Sequence, residues 1–196
     1  GLLARCGYPL GGIRERVQAA AASGLSPACA VVEGRTLKLK DLIDALAGEI
    51  ENVRPQLEGN LYDLQNQDLQ APSFMDALDQ YTGQVQRMGE AVELAGFPGL
   101  QSVCNHVLDN ALLVASVPPD ERGPVIDFLR AWPPLMVQYL RRLDDPSTAA
   151  GLLDLLRDAP NPMGEETALK IMHQLGAMPL QVNLLGEEEN KRPLVA

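Results

Sequence analysis

From Lys38 onward, apolar residues recur at steps of three or four along most of the chain. Leu39, Leu42, Ile43, Leu46, Ile50, Val53, Leu57, Leu61 and Leu64 draw one continuous stripe, which predicts a long amphipathic helix. Pro55 interrupts it, so a kink or break is expected near Arg54, and the polar stretch Gln65–Gln70 is expected to be a loop. A second stripe, Phe74, Leu78, Tyr81, Val85, Met88 and Val92, predicts a helix from Pro72 or Ser73 to about Ala95. Gly96 stands where a left-handed C-terminal cap belongs. Leu100, Val103, Cys104, Val107, Leu108 and Leu112 predict a third helix, from Pro98 to about Ser116.

Pro118-Pro119-Asp120 stops that helix and opens a fourth helical stretch, Asp120–Trp132. The pair Pro133-Pro134 is expected to divide it from Leu135–Leu143. Asp145-Pro146-Ser147 starts a short helix to Arg157, and Gly164–Leu175 forms the last one after a linker at Pro160-Asn161-Pro162. Ahead of Leu37, Ile13–Ser23 reads as helical, while Ala28–Val32 and Thr36–Leu39 make either a small hairpin or a linker. The fold class is therefore all-α: an antiparallel up-and-down bundle with additional helices. Its expected divisions are 1–36 (N-terminal helix and linker), 37–145 (bundle), 146–185 (additional helices) and 186–196 (a loose tail).

Composition sharpens this picture. Hydrophobic residues make up 46% of the chain, enough for a core, but only 4% are aromatic, which favours helices over sheets. A formal net charge of −10 argues against nucleic acid as a partner. No apolar run is long enough to span a bilayer, so no membrane insertion is expected. Three cysteines without close pairing fit a reducing, cytoplasmic setting. The chain begins at Gly1 without Met and is read as a fragment or a processed chain.

Chemistry is sparse. The two histidines, His106 and His173, have no ligand-type residue at i±4, so neither metal nor other cofactor is expected. Cys104 and His106 are two positions apart and point to different faces of a helix, which excludes a nucleophile–base pair. P-loop, dinucleotide-binding and nucleophile-elbow motifs are missing. The many carboxylates, among them Asp120, Glu121, Asp127, Asp144, Asp145, Asp154 and Asp158, read as solvated surface.

The segment from Gln86 to Leu100, QRMGEAVELAGFPGL, resembles the centre of histidine phosphotransfer (HPt) domains, the four-helix modules of bacterial phosphorelays and CheA-type kinases. In that family a helix carries His-x-x-Lys-Gly, ends at a Gly ten positions after the His, and is followed by a Leu that opens the packing of the next helix. Gly96 and Leu100 occupy those last two places. At the site itself the chain departs from the pattern. Gln86 stands for the His, Gly89 for the Lys and Glu90 for the Gly.

An amide has no basic nitrogen that could take a phosphoryl group, and Glu90 would repel one. The resemblance thus implies a degenerate HPt-like domain of the kind found in the kinases of type IV pilus and chemotaxis signalling. It would be non-enzymatic, part of a larger kinase or free-standing. Implied partners are a response-regulator receiver domain or other kinase domains, docking near Gln86 with Met88 and Val92 at the edge of the surface. Two alternatives stay open: a phosphotransfer protein working through His106, and a plain helical scaffold or dimerisation domain, with a homo-oligomer among its forms.

Overall fold

The computed structural model describes residues 39–176 and, ahead of them, Val31–Val32 (β1) and Arg35–Thr36 (β2). These two strands pair antiparallel, with Val31 opposite Thr36 and Val32 opposite Arg35, a hairpin of two-residue arms where Ala28–Val32 and Thr36–Leu39 were expected to make a hairpin or a linker, and Leu39 already belongs to the first helix. The helix expected at Ile13–Ser23 and the tail expected from Gly186 lie outside the described residues.

Six α-helices follow: α1 Leu39–Asn66, α2 Pro72–Leu94, α3 Pro98–Leu113, α4 Gly123–Arg141, α5 Pro146–Arg157 and α6 Glu165–Gly176, with one 3₁₀ turn at Pro119–Glu121. The chain is helical because each stripe finds a partner. Leu46, Ile50, Leu57, Leu61 and Leu64 of α1 are buried, as are all six stripe residues of α2. Several ends are written in the sequence. Gly96 has φ +88°, and the N–H groups of Gly96 and Phe97 donate to Glu93 O (2.9 Å) and Val92 O (2.8 Å), the two bonds of a Schellman cap. Asp145 caps α5 by accepting from Ser147 N at 3.0 Å, with Pro146 at the first helical position.

Helix α1 packs on α2 and α4, α2 on α3, α3 on α6, and α5 joins α4 to α6, while α3 also touches α4 directly. Paired residues give the directions. Along α1 and α4, Glu51 meets Arg141, Glu58 meets Arg130 and Leu64 O meets Arg122, so the two helices run oppositely. Leu152, Leu153, Leu156, Ala168, Ile171 and Leu175 of α5 and α6 belong to the same apolar core as the first four helices. Helices α5 and α6 therefore build onto the bundle.

Helices run continuously through three prolines, Pro55, expected to kink or break its helix, and Pro133-Pro134, expected to divide theirs. Pro55 lies inside α1, which runs unbroken for 28 residues, and Pro133 and Pro134 lie inside α4. A proline deprives the carbonyl four residues earlier of its N–H partner. For Pro55 and Pro134 those carbonyls belong to Glu51 and Arg130, exposed residues within reach of water. For Pro133 the carbonyl is that of Leu129, a fully buried residue. There Tyr81 of α2 takes over: its hydroxyl donates to Leu129 O at 2.8 Å and accepts from Trp132 Nε1 at 2.8 Å. A phenol from a neighbouring helix supplies the donor that proline removed, and α4 stays intact.

Candidate functional site

Gln86 lies past the midpoint of α2, on its solvent side, next to the exposed Arg87. Its Nε2 approaches Glu90 Oε1, one turn on, at 3.5 Å, the outer limit of a hydrogen bond. Gln86 and Glu90 thus share a surface, with Arg87 on the far side of Glu90: amide, carboxylate and guanidinium, able to exchange hydrogen bonds with a partner but offering no nucleophile.

Gly89 does not belong to that surface. It is buried against α3, and a Cβ placed on it would sit 3.2 Å from Cys104 Cβ. The glycine lets two helices approach closely, and a lysine here would have to pry them apart. Of the three residues expected at the degenerate phospho-site, the structure brings Gln86 and Glu90 together on one face and turns Gly89 inward. Met88 (5% exposed) and Val92 (0%) are core residues, so neither can edge a docking surface. The reason is period: both stand on the stripe of Phe74, Leu78, Tyr81 and Val85, and one stripe cannot face two ways.

The remaining reactive side chains are also packed away. Cys104 is fully buried, and desolvation pushes its thiol up to about 12, far from a reactive thiolate. Tyr139 donates to Leu175 O at 2.8 Å, and burial raises its phenol to about 12. His106, weighed as an alternative phospho-acceptor, is only 9% exposed, lies edge-on to Phe128, and has an Nε2 that is buried without a hydrogen-bond partner. Desolvation lowers its pKa, partly opposed by Asp109 and by the carbonyls of Leu156 and Asn161. A phosphoryl donor cannot reach that nitrogen without opening the packing of α3 against α4, where Phe128 lies. His173 is exposed near the end of α6.

Two polar anchors went unread in the sequence. Arg122 is 0% exposed: its Nη1 donates to Leu64 O (2.9 Å) and Gln67 O (2.7 Å), and its guanidinium lies 4.7 Å from the centre of the Phe74 ring. It closes the C-terminal end of α1, where carbonyls lack partners and a cation is favoured. Asn110 binds the backbone of Asn161 twice, accepting from its N–H at 2.9 Å and donating to its carbonyl at 3.3 Å, which pins the α5–α6 connection onto α3. No sequence signal separates Arg122 from a surface arginine.

Among the described residues no group of three or more His, Cys, Asp or Glu converges on a possible metal position. None of their helices is long and apolar enough to cross a membrane. The chain matches no known protein family, no curated protein and no solved structure.

Proposed function

We propose that this chain is a non-catalytic signalling module, an HPt-like helical bundle in which Gln86 has replaced the phospho-accepting histidine. In this reading it works in the cytoplasm, as part of a CheA-like kinase or beside one, and recognises a receiver domain or another kinase domain without taking phosphate. One observation carries the reading: the exposed position on the bundle's second long helix holds an amide. Among the described residues Cys104 and His106 are buried, and the exposed imidazole of His173 stands on α6 and not on that helix. The docking surface is then the polar face of Gln86, Arg87 and Glu90.

The test has two arms. Treatment with acetyl phosphate, or with a phosphorylated receiver, is expected to leave the intact mass of the protein unchanged. Titration of the isotope-labelled chain with receiver domains is expected to shift the amide resonances around Gln86 and Arg87, and Arg87→Glu is expected to abolish the shifts. Recovery of an acid-labile phosphate, or binding that maps to another face, overturns the proposal.

A further inference from the structure

Away from α2, one groove combines charge and apolar floor in a way the bundle's own packing does not require. It runs between the middle of α1 and the C-terminal half of α4, with a volume of about 400 Å³. Ile50, Pro133 and Val137 form its base, and Arg54, Arg141 and Arg142 stand around it. Residues 39–176 carry nine Lys and Arg against twenty-one Asp and Glu, and three of the nine line this groove. In so acidic a chain, random placement would surround a groove with carboxylates.

The three arginines differ in what else explains them. Arg141 ends α4, where a cation suits the helix dipole, and it binds Glu51 Oε2 at 2.7 Å. Arg142 follows it, and its charge adds a little to the lowering of the Asp145 carboxyl's pKa that the side-chain and backbone hydrogen bonds from Ser147 chiefly cause. Arg54 lies mid-helix in α1, far from either end, and has no carboxylate within ion-pair distance among the described residues. Glu51, the one acid on the groove wall, is taken up by Arg141. What remains is an exposed forked donor above an apolar base, the chemistry that receives a carboxylate next to an apolar side chain.

We propose that the α1–α4 groove is a docking site for a carboxylate-rich peptide segment of a partner protein. Its acidic side chains would bind Arg54 and Arg142, and an apolar residue would seat on Pro133 and Val137. Charge complementarity selects this occupant: the arginines answer carboxylates, and a groove of about 400 Å³ takes a few side chains of an extended segment rather than a folded surface. Glu51 competes with the incoming carboxylates for Arg141.

The site is tested with the full chain and a fluorescein-labelled amphipathic peptide of Glu and Leu, its Glu→Gln counterpart, and a labelled single-stranded oligonucleotide, all by fluorescence anisotropy. The acidic peptide is expected to bind and the Gln peptide to bind at least roughly tenfold more weakly, with affinity falling as salt rises. Arg54→Glu with Arg142→Glu is expected to weaken binding by a further tenfold or so, whereas Glu51→Gln strengthens it a few-fold and Arg87→Glu on α2 leaves it unchanged. Circular dichroism of each variant confirms that the bundle has folded.

Failure of the acidic peptide to bind overturns the proposal. So does equal binding of the Gln peptide or the oligonucleotide, or a groove variant that binds like the wild type. Concentration-dependent sedimentation abolished by the double variant would instead make the groove a self-interface and equally refute it. Loss of binding in Arg87→Glu alone would transfer the peptide to the α2 face.

Discussion

Replacing Tyr81 by Phe removes one oxygen and disturbs two buried partners at once. The Leu129 carbonyl loses the donor that stands in for the absent N–H of Pro133, and the Trp132 indole N–H loses its acceptor. Tyr81, Leu129 and Trp132 are all 0% exposed, so water cannot replace either bond without opening the core. A buried polar group left unpaired costs about 1–3 kcal/mol, and two of them should cost roughly 2–4 kcal/mol together. In urea denaturation followed by circular dichroism and by the fluorescence of Trp132, the chain's one tryptophan, this appears as a lower midpoint at unchanged slope.

A double-mutant cycle isolates the proline's share. In Pro133→Ala the new N–H lies where the helix supplies a bond to Leu129 O, leaving only the indole to suffer when Tyr81→Phe is added. The cost of Tyr81→Phe should then fall by about 1 kcal/mol or more. If Tyr81→Phe costs the same in both backgrounds, the hydroxyl does not compensate for the proline, and the explanation for the intact α4 is wrong.

Three further outcomes follow from the packing. Arg122→Ala leaves the Leu64 and Gln67 carbonyls unpaired and opens a cavity beside Phe74. It should cost roughly 2–4 kcal/mol and speed amide exchange in the last turns of α1 selectively. Gly89→Lys, which would restore the cation of the HPt pattern, forces side chain into the α2–α3 contact and should lower stability by about 1–3 kcal/mol, read as a loss of urea midpoint. His106 has its pKa lowered in the fold, so the native state binds fewer protons than the unfolded chain. Its stabilising effect is complete above the unfolded value near 6.5 and is lost as pH falls through the lower, folded value. The urea midpoint of the wild type should drop between neutral and mildly acidic pH by more than that of His106→Gln, and equal slopes in the two proteins would refute this.

The helices were legible because each one's stripe has a single period and ends in recognisable chemistry: Gly96 at the end of α2, Pro98 opening α3, and Asp145-Pro146-Ser147 opening α5. Where the reading went wrong, the cause was a group outside the local window. Pro133 looks like a breaker because the donor that rescues Leu129 O lies in another helix, 48 residues away along the chain. Leu112, expected inside, is 56% exposed, because the apolar pattern of α3 outlasts the neighbours available to cover its last turn.

Gln86 is exposed, yet Met88 and Val92 were read both as core stripe and as docking edge, and packing admits only the first. Arg122 shows the deeper limit. Its burial depends on three acceptors, the carbonyls of Leu64 in α1 and Gln67 just after it and the ring of Phe74 in α2, none within 45 positions of it. An arginine directly after Asp120 and Glu121 reads as part of a solvated charged turn in any sequence window, because what makes its burial tolerable is a helix end that exists only once the bundle has formed. Arg54 is the converse case, equally unpaired but left at the surface over an apolar groove. Arg122 has found its acceptors within the fold, so its loss should be read in stability, whereas Arg54 has none there, and its loss should be read in binding with stability unchanged.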